Sequence, residues 1–432
     1  MKKYNFIIIG IDTLRADHLS CYGYVRKTSP NIDKIAEESI VFKWAFADGI
    51  PTHPAWTTIL TGVHPLGHGI VTHMGSAQLS ENILMIQEVL RKEGYVTGAV
   101  DNMFLKYGDF YKWFTRGFHI YSHPGGIPAP EAGLKVQADD VTEYSIKVIK
   151  ELLDRRKPFF MFIHYWDPHS PYRPPEPYNK IFWQKEPPED EKFLDYAISQ
   201  YDGEIRYVDD KVGELIDFLR EKDLLESTVL FITSDHGENL QEHGDYMGHK
   251  GLYDNVTRVP LIMRLPSGEK GVREDLVQHV DIAYTIYELA GVKPSIKIDG
   301  RSLVTTYDYE RPVVLLENTQ QKAIGLRTRD WKLIVYLEKT PDGIPKDYMQ
   351  LFNLRKDPGE RTNLAYHEIE KTKELKEKLD RISKELLRGE GNPLLEQAPT
   401  MRKIKFYSQA KSLIELYGLI IRQEEEEQKT KK

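Results

Sequence analysis

The sequence predicts an α/β protein in which a mostly parallel sheet is covered by helices and is followed by a smaller antiparallel sheet with a helix. Two observations carry this prediction. Before Gly300, short apolar runs alternate with longer segments of helical period, as in parallel sheets that are buried on both faces. After Gly300, short apolar runs are separated by turn residues, which is typical of a small antiparallel sheet. The chain has 432 residues, enough for two or three domains of about 150 residues each.

Three apolar runs are the strand candidates of the parallel sheet. They are residues 6–9, Phe159–Tyr165 and Thr228–Thr233. Between the last two, apolar residues recur at helical spacing, which predicts an amphipathic crossover helix packed on the sheet. These residues are Val208, Val212, Leu215, Ile216 and Leu219.

The first run is expected to be a buried strand rather than a signal peptide. Gly10 and Asp12 interrupt it early, and no small-residue cleavage site follows. No other stretch approaches the ~20 uninterrupted apolar residues of a membrane span. We therefore expect no membrane partner and a cytoplasmic location.

Two stretches rich in aromatic residues, glycine and proline have no clean period. They span residues 104–130 and 172–188. Such stretches are typical of loops, and the functional loops of α/β enzymes lie beyond the carboxyl ends of the strands. Each stretch either shapes a substrate pocket or is a surface connection packed by its own aromatic side chains.

The C-terminal part predicts a small α+β unit. Its strand candidates are residues 313–316, 323–326, 333–336 and 351–354, and its helix is marked by Leu375, Leu379, Ile382 and Leu386. We expect a large unit at residues 1–305, a smaller one at residues 306–400, and a helix with a charged tail at residues 401–432.

Composition and charge exclude several classes of protein. The single cysteine, Cys21, cannot form an internal disulfide, a multi-thiolate zinc site or an iron–sulfur cluster, which indicates a reducing compartment. The chain has 59 Lys and Arg against 66 Asp and Glu, a net charge of −7, with no basic stripe. Nucleic acid and anionic lipid are therefore not expected as partners.

Side chains suited to metal binding or acid–base catalysis follow all three strand candidates. They are Asp12 after the first, His164, Asp167 and His169 at and after the second, and Asp235 and His236 after the third. The carboxyl ends of parallel strands lie along one edge of a sheet, so these residues can converge there. Any single aspartate could instead be a helix N-cap, but three such arrivals together favour a site.

A fourth element is a short helix framed by Pro51 and Gly62, with Thr52 near its N-terminus. The positive end of this helix and its free N–H groups would stabilise an anion. The segment alone leaves two interpretations open, a reactive threonine or a threonine that caps the helix.

Together these segments resemble the sulfatase family of the alkaline phosphatase superfamily. The matching blocks are 12–17 (DTLRAD) with Tyr22-Gly23, 54–62 ending in Leu-Thr-Gly, 164–172 (HYWDPHSPY), 201–209 (YDGEIRYVD), 233–238 (TSDHGE), 248–254 (GHKGLYD) before Arg258-Val259-Pro260, 299–303 (DGRSL), and 351–354 (LFNL) with Asp357-Pro358, Glu360 and Asn363-Leu364. The resemblance implies an alkaline phosphatase-like α/β/α sandwich with a smaller C-terminal sheet, and hydrolysis of sulfate or related esters at one divalent cation.

The resemblance also implies roles for particular residues. The matched positions are Asp12, Thr13, Thr52, Asp235 and His236 for the metal, and Thr52, His169, Lys250 and His249 for catalysis. Thr52 falls on the nucleophile, and Thr13 stands where many members have a second acid. His169 and Lys250 fall on groups that grip the ester oxygens or protonate the leaving group, with His249 beside them.

The chemistry of the donor set bears on the cation. Carboxylate, imidazole and hydroxyl donors suit Mn²⁺ or Zn²⁺ somewhat better than Ca²⁺, which prefers oxygen alone. Phosphomonoesterases of the superfamily use two metals, for which Asp167, His169 and His249 could serve as further ligands. Lys250 supplies a single positive charge instead, so we expect one cation and a monoanionic ester.

The sequence departs from the family at the nucleophile. Most sulfatases carry Cys-x-Pro-x-Arg or Ser-x-Pro-x-Arg, whose first residue is oxidised to formylglycine, whereas residues 52–56 here read THPAW. Threonine would give a ketone, so no formylglycine is expected. Asn102 and Phe104 stand where the family commonly has lysine and histidine.

We therefore expect a sulfuric ester hydrolase or phosphoric diester hydrolase that forms a covalent ester on Thr52, as in the threonine branch of the superfamily. Its substrate would be a small-molecule or carbohydrate ester, and a homo-oligomer is compatible with the sequence. One alternative is a phosphoryl-group transferase, resembling phosphoglycerol or phosphoethanolamine transferases, with the same nucleophile. A second alternative is a non-catalytic binding protein on a sulfatase scaffold.

Overall fold

The computed structural model describes residues 3–73, 75–101, 113–124, 137–244, 246–399 and 415. Several sequence predictions lie outside these residues. They include those for Asn102 and Phe104, most of the stretch 104–130, and the tail 401–432 apart from Glu415. Among the described residues, no helix combines the length and the apolar composition needed to cross a bilayer.

The structure alternates strands and helices along most of the chain. Its strands are β1 (Asn5–Ile11), β2 (Ile40–Phe46), β3 (Gly49–Ile50), β4 (Val96–Val100), β5 (Ile120–Ser122), β6 (Phe159–Tyr165), β7 (Thr228–Thr233), β8 (Asn239–Leu240), β9 (Tyr246–Gly248), β10 (Arg258–Val259), β11 (Leu261–Arg264), β12 (Gly271–Gln278), β13 (Val313–Asn318), β14 (Lys322–Arg327), β15 (Trp331–Tyr336) and β16 (Met349–Asn353). Its α-helices are α1 (Pro30–Ala36), α2 (Thr52–Thr61), α3 (Pro65–His68), α4 (Ile86–Lys92), α5 (Ala138–Asp154), α6 (Phe193–Glu221), α7 (Asp254–Thr257), α8 (Val280–Ala290), α9 (Ile369–Leu386) and α10 (Pro393–Glu396).

The large sheet has the strand order β10-β2-β11-β7-β1-β6-β4-β5, and β12 pairs with β2. The run from β7 to β5 is parallel, as are β2 and β12, whereas β10 and β11 are antiparallel to their neighbours. The predicted fold class, a mostly parallel sheet within an α/β protein, is confirmed.

Both faces of this sheet are buried. In β1, Phe6 and Ile8 pack into one core and Ile7 and Ile9 into the other. Helices α2, α4 and α8 cover the first face, and α1, α5 and α6 cover the second. The strands are continuously apolar because successive side chains point to opposite faces and each face is covered by helices.

The predicted crossover helix is confirmed. It is α6, which lies between β6 and β7, and its five predicted apolar residues all belong to the core of the second face. The chain thus returns from β6 to a strand parallel to it, which places the ends of β6, β1 and β7 at the same edge of the sheet.

The second sheet has the order β16-β15-β14-β13-β3 and is covered on one side by α9. Four of its strands are those predicted, and they are antiparallel. The fifth, β3, comes from the residues directly before α2 and pairs parallel with β13. The small sheet is therefore tied by backbone hydrogen bonds to the segment that leads into Thr52.

The two loop-rich stretches differ in the structure. The stretch at residues 172–188 contains one short 3₁₀ helix, Tyr178–Lys180, and is otherwise irregular, as predicted. The described part of the other stretch contains β5, a strand at the edge of the large sheet that periodicity did not reveal. Three residues are too short to show a period of two.

Candidate active site

Residues from the ends of two neighbouring strands form a buried acid–histidine cluster. Asp12 follows β1, and Asp235 and His236 follow the parallel strand β7. All three are fully buried, and one potential ligand atom from each lies within 4.8 Å of the others. The predicted convergence at the sheet edge therefore occurs.

Backbone groups fix the orientation of the Asp235 carboxylate. Its Oδ1 accepts hydrogen bonds from the backbone N–H of Thr13 at 3.0 Å and of His236 at 2.9 Å. Thr13 adopts a φ of +55°, a left-handed conformation that is costly for a β-branched residue. This strained conformation directs the Thr13 N–H at Asp235 Oδ1. Because Oδ1 is occupied by backbone N–H groups, Oδ2 is the oxygen left for the cluster.

The cluster fits a divalent cation. Asp12 Oδ1, Asp235 Oδ2 and Thr13 Oγ1 make no hydrogen bond, although all three are buried. Burial and the charge of Asp12 raise the pKa of Asp235 to about 6. Buried, crowded oxygen donors of this kind are costly unless a positive charge neutralises them. A cation held by Asp12, Asp235 and His236 would supply that charge.

Thr52 lies beside the cluster at the N-terminus of α2. It is 3% exposed, and its Oγ1 lies 3.3 Å from His236 Nε2. The His236 Nδ1 is 2.9 Å from the carbonyl oxygen of Gly237, which can only accept, so Nδ1 carries the proton and the Nε2 lone pair faces Thr52. Pro51 occupies the cap position of the helix, so Thr52 is not its N-cap.

His164, one of the side chains expected at this sheet edge but given no catalytic or metal role by the resemblance, lies beside Asp12. The Nε2 of His164 is 3.4 Å from Asp12 Oδ2, and its Nδ1 is 2.6 Å from Asp101 Oδ1. Against the effect of burial, hydrogen bonds to the two aspartates raise the pKa of His164 to about 10. The Trp56 ring meets His164 edge-on at 5.0 Å and lies so close to Gly10 that a Cβ there would be 2.2 Å from it.

A row of imidazoles leads away from His236. The ring centroids of His236 and His249 are 4.5 Å apart, and those of His249 and His169 are 6.3 Å apart. Burial and the two neighbouring histidines hold the pKa of His249 well below its usual value, so this ring is neutral. His169 stacks on Trp166, and its Nδ1 lies 2.7 Å from the Ser170 carbonyl oxygen, so Nδ1 donates and Nε2 can accept a proton.

Two further histidines flank the nucleophile position. His53 follows Thr52 and stacks on His73, with ring centroids 4.1 Å apart. Burial lowers the pKa of His53 to about 3 and holds that of His73 well below its usual value. Both rings are therefore neutral near pH 7.

Lys250 lies next to this row, one residue after His249, and contacts the small sheet. Its Nζ forms an ion pair with Asp342, which is on the loop between β15 and β16. The next residue, Gly251, donates its backbone N–H to Glu317 Oε1 at 3.0 Å. Glu317 is fully buried on β13, and burial raises its pKa to about 7.

Other residues of the matching blocks have structural contacts. Arg15 forms ion pairs with Asp17 and Glu242. Asp209 accepts the backbone N–H groups of Asn31 and Ile32 at the start of α1. These contacts give Arg15, Asp17 and Asp209 structural roles.

Sequence reasoning missed three acidic residues that contact predicted site residues or their neighbours. Asp101 directly follows β4, the same signal that identified Asp12, but the five-residue strand Val96–Val100 contains Gly98 and was not recognised. Glu317 directly follows the apolar run 313–316, which was a usable signal. Asp342 is an ordinary loop acid, and nothing in the sequence distinguishes it.

Comparisons with known proteins agree with this arrangement. A family model described as Sulfatase matches residues 4–292, and one described as N-sulphoglucosamine sulphohydrolase, C-terminal, matches residues 241–385. The first match alone covers more than half of the chain. The chain belongs to the sulfatase family. Its membership supports the prediction of a sulfuric ester hydrolase.

Among curated sulfatases, the chain is similar to human iduronate 2-sulfatase. The two are 26% identical over 331 residues, which are 61% of this chain and 60% of the human protein. The chain thus spans about three fifths of the length of that relative. It is also 23% identical to an arylsulfatase of Clostridium perfringens over 493 residues, covering 93% of this chain and 100% of that protein.

Solved structures of this fold include enzymes acting on sulfur and on phosphorus. Phosphonate monoester hydrolase of Agrobacterium radiobacter superposes with a TM-score of 0.73 at 19% identity, covering 89% of this chain and 96% of that one. At that identity the likeness shows the fold alone. The predicted alkaline phosphatase-like fold is therefore confirmed.

Proposed function

We propose that this sulfatase-family protein is a cation-dependent hydrolase that cleaves a sulfate ester or a phosphodiester through a covalent ester on Thr52. The observation that carries the proposal is the position of Thr52 Oγ1, at a helix N-terminus and 3.3 Å from His236 Nε2 of the acid–histidine cluster. Threonine at this position also means that no formylglycine is formed.

Asp12, Asp235 and His236 would hold the cation in this proposal. Thr13 and Thr52 would be its further ligands. When bound, the cation lowers the pKa of a neighbouring hydroxyl and balances negative charge on the ester oxygens. At the start of α2, the N–H groups of Thr52 and His53 and the positive end of the helix would stabilise the same charge. The residues of the chain carry out the remaining steps.

In the first displacement, Thr52 Oγ attacks the sulfur or phosphorus, and the bond to the leaving alcohol breaks. The proton lost from the Thr52 hydroxyl reaches the departing oxygen, with the imidazole of His169 as carrier. His169 suits this role because its Nδ1–H is fixed by the Ser170 carbonyl and its Nε2 accepts. Lys250 and the neutral His249 contact the ester oxygens.

In the second displacement, water attacks the Thr52 ester. His169 takes a proton from the water and passes it to Oγ as the bond to Oγ breaks, so Thr52 regains its hydroxyl, and sulfate or, from a phosphodiester, a phosphate monoester leaves. An alcohol in place of water would turn the same chemistry into a transfer reaction. This is how the transferase alternative is related to the hydrolase.

The positive charges that the proposal assigns to the site favour a monoanionic group. Within the described part of the chain, Asp12, Asp235 and His236 are the one set of three such side chains close enough to hold a metal ion. One cation and Lys250 suit a sulfate monoester, a phosphodiester or a phosphonate monoester better than a phosphate dianion. Similarity to human iduronate 2-sulfatase favours a carbohydrate sulfate, and the phosphonate monoester hydrolase fold is compatible with phosphorus.

The test is an assay of the Mn²⁺-loaded or Zn²⁺-loaded protein with an aryl sulfate, a bis-aryl phosphate and an aryl phosphate. Thr52→Ala is expected to lower kcat by on the order of 10⁴-fold or more, because the residue forms the covalent intermediate. Thr61→Ala on the same helix, which removes a hydroxyl bonded to the Thr57 carbonyl, is the matched control and keeps activity. Elemental analysis is expected to find one metal atom per chain.

Acid-quenched mass spectrometry provides the direct observation. During turnover, the peptide containing Thr52 is expected to carry a sulfuryl group from a sulfate ester, or an aryl-phosphoryl group from a bis-aryl phosphate. Activity that survives Thr52→Ala would exclude Thr52 as the nucleophile. Transfer to an added alcohol at the expense of hydrolysis would favour the transferase, and no turnover of any ester would favour a binding protein.

A further inference from the structure

Four polar side chains cross the carboxyl edge of the large sheet in the order of its strands. From the sheet edge inwards they are Tyr121 on β5, Asp101 after β4, His164 on β6 and Asp12 after β1. The strands are adjacent and parallel, so successive members of the row are neighbours in space. The row ends at one carboxylate of the acid–histidine cluster.

Two contacts in the row are short hydrogen bonds, and the third is at ion-pair distance. The Tyr121 hydroxyl donates to Asp101 Oδ2 at 2.5 Å, and Asp101 Oδ1 lies 2.6 Å from His164 Nδ1. His164 Nε2 in turn lies 3.4 Å from Asp12 Oδ2. Asp101, His164 and Asp12 are all fully buried.

Packing holds the central ring in this position. His164 pairs in register with Gly10 of β1, two residues before Asp12. The Trp56 ring meets His164 at 5.0 Å, and the Phe162 ring lies at 6.2 Å. A ring confined in this way, with a carboxylate at each nitrogen, cannot rotate without breaking both contacts.

We propose that Asp101 is a positioning residue that acts through His164 to orient the Asp12 carboxylate for the cation. His164 engages Oδ2 and leaves Oδ1 of Asp12 to face the cluster. Residues one shell away from a metal ligand commonly fix its orientation in this manner. The inference rests on the proposed cation site, but not on the identity of the nucleophile or of the substrate.

The test measures Mn²⁺ binding directly, by equilibrium dialysis with the full chain. Asp101→Asn keeps the shape of the side chain and removes its charge, and we expect it to weaken Mn²⁺ binding by about 10- to 100-fold. His164→Gln is expected to do the same. Tyr121→Phe removes only the hydroxyl and is expected to weaken binding in the same direction by less, and it serves if the buried variants do not fold.

Asp139→Asn is the matched control. Asp139 also accepts a tyrosine hydroxyl, that of Tyr207, but it lies at the start of α5, outside the cluster. We expect wild-type Mn²⁺ affinity for this variant. The increase in Tm on adding Mn²⁺ is a second measurement, since a purely structural role for Asp101 would lower the Tm of the metal-free protein and leave that increase unchanged.

The outcomes separate this inference from the proposed function. Wild-type affinity for Mn²⁺ in both Asp101→Asn and Tyr121→Phe would overturn the inference and leave the hydrolase proposal intact. Weakened Mn²⁺ binding in a protein that turns over no ester would support the inference and overturn the hydrolase. A wild-type chain that binds no Mn²⁺ would overturn both the cation site and the inference.

Discussion

The candidate active site has two ends that are built differently. The cation end consists of Asp12, Asp235 and His236, which follow neighbouring parallel strands of one sheet and are fully buried. The lysine end consists of Lys250 and its loop, which are held by acids from the small sheet, Glu317 and Asp342. The cation end is formed by residues that follow strands of the large sheet alone. The lysine end depends on contacts with the small sheet.

This difference suggests separate sources of rigidity. At the cation end, each ligand is one to three residues from the end of a strand, so the sheet positions it. At the lysine end, the loop around Lys250 depends on a hydrogen bond from Gly251 to the buried Glu317. The small sheet is itself joined to the nucleophile segment, because Glu317 pairs in register with Ile50, two residues before Thr52. The small sheet can thus affect both the lysine and the nucleophile.

The largest expected effect at the lysine end is from Lys250→Ala. If Lys250 contacts the ester oxygens as proposed, loss of its charge is expected to lower kcat/KM by about 10²- to 10³-fold. Bound Mn²⁺, measured by dialysis, is expected to stay unchanged, because the cation ligands come from the other sheet. Lys376→Ala removes a lysine paired with Asp380 on α9 and serves as the control. A loss of Mn²⁺ in Lys250→Ala would show that the two ends are not independent.

A smaller effect is expected from Glu317. Glu317→Ala removes the acceptor of the Gly251 N–H, and we expect kcat/KM to fall by roughly 10-fold, below the ~10²-fold cost of a 1 Å misplacement. Glu317→Gln retains an acceptor for Gly251. In the structure, Gln321 Nε2 donates to Glu317 Oε2, and Gln321 Oε1 makes no hydrogen bond. A flip of the Gln321 amide would let this Oε1 accept from the new amide of the glutamine variant. Near-wild-type activity is therefore expected for the glutamine variant.

The stability of Glu317→Gln relative to wild type is expected to depend on pH. Burial raises the pKa of Glu317 to about 7 from 4.5, so the folded protein retains this proton where the unfolded chain has lost it. The ionised carboxylate thus destabilises the fold increasingly as pH rises from about 4.5 to about 7, and by a constant amount above. The Tm of Glu317→Gln relative to wild type should rise across that interval. A constant difference would contradict the raised pKa.

The sequence predicted the cation end better than the lysine end for a physical reason. An acid directly after an apolar strand is a local signal, and parallel strands bring such residues together, so Asp12 and Asp235 could be placed from the sequence. Asp101 gave the same signal after β4, but Thr97 and Gly98 break the apolar run of that strand, so it was not recognised. Glu317 and Asp342 act across a contact between two sheets, and no local pattern specifies which residues meet there. Lys250 itself was found only by resemblance.

The smallest effect is expected from Asp342→Asn. It shows whether Asp342 positions Lys250 for the ester or competes with the ester for Lys250. Asp342 forms an ion pair with Lys250, and its side chain is 57% exposed. If an ester anion must displace this carboxylate, Asp342→Asn will lower KM by about 2- to 5-fold with kcat unchanged, since exposed ion pairs are worth about 0.2–1 kcal/mol. The difference should shrink at high salt, which screens such a pair. Asp330→Asn removes an exposed acid paired with Arg355 and should leave KM unchanged. A higher KM in Asp342→Asn would instead mean that Asp342 positions Lys250 for the ester, and the lysine end would then depend on the small sheet through both of its acids.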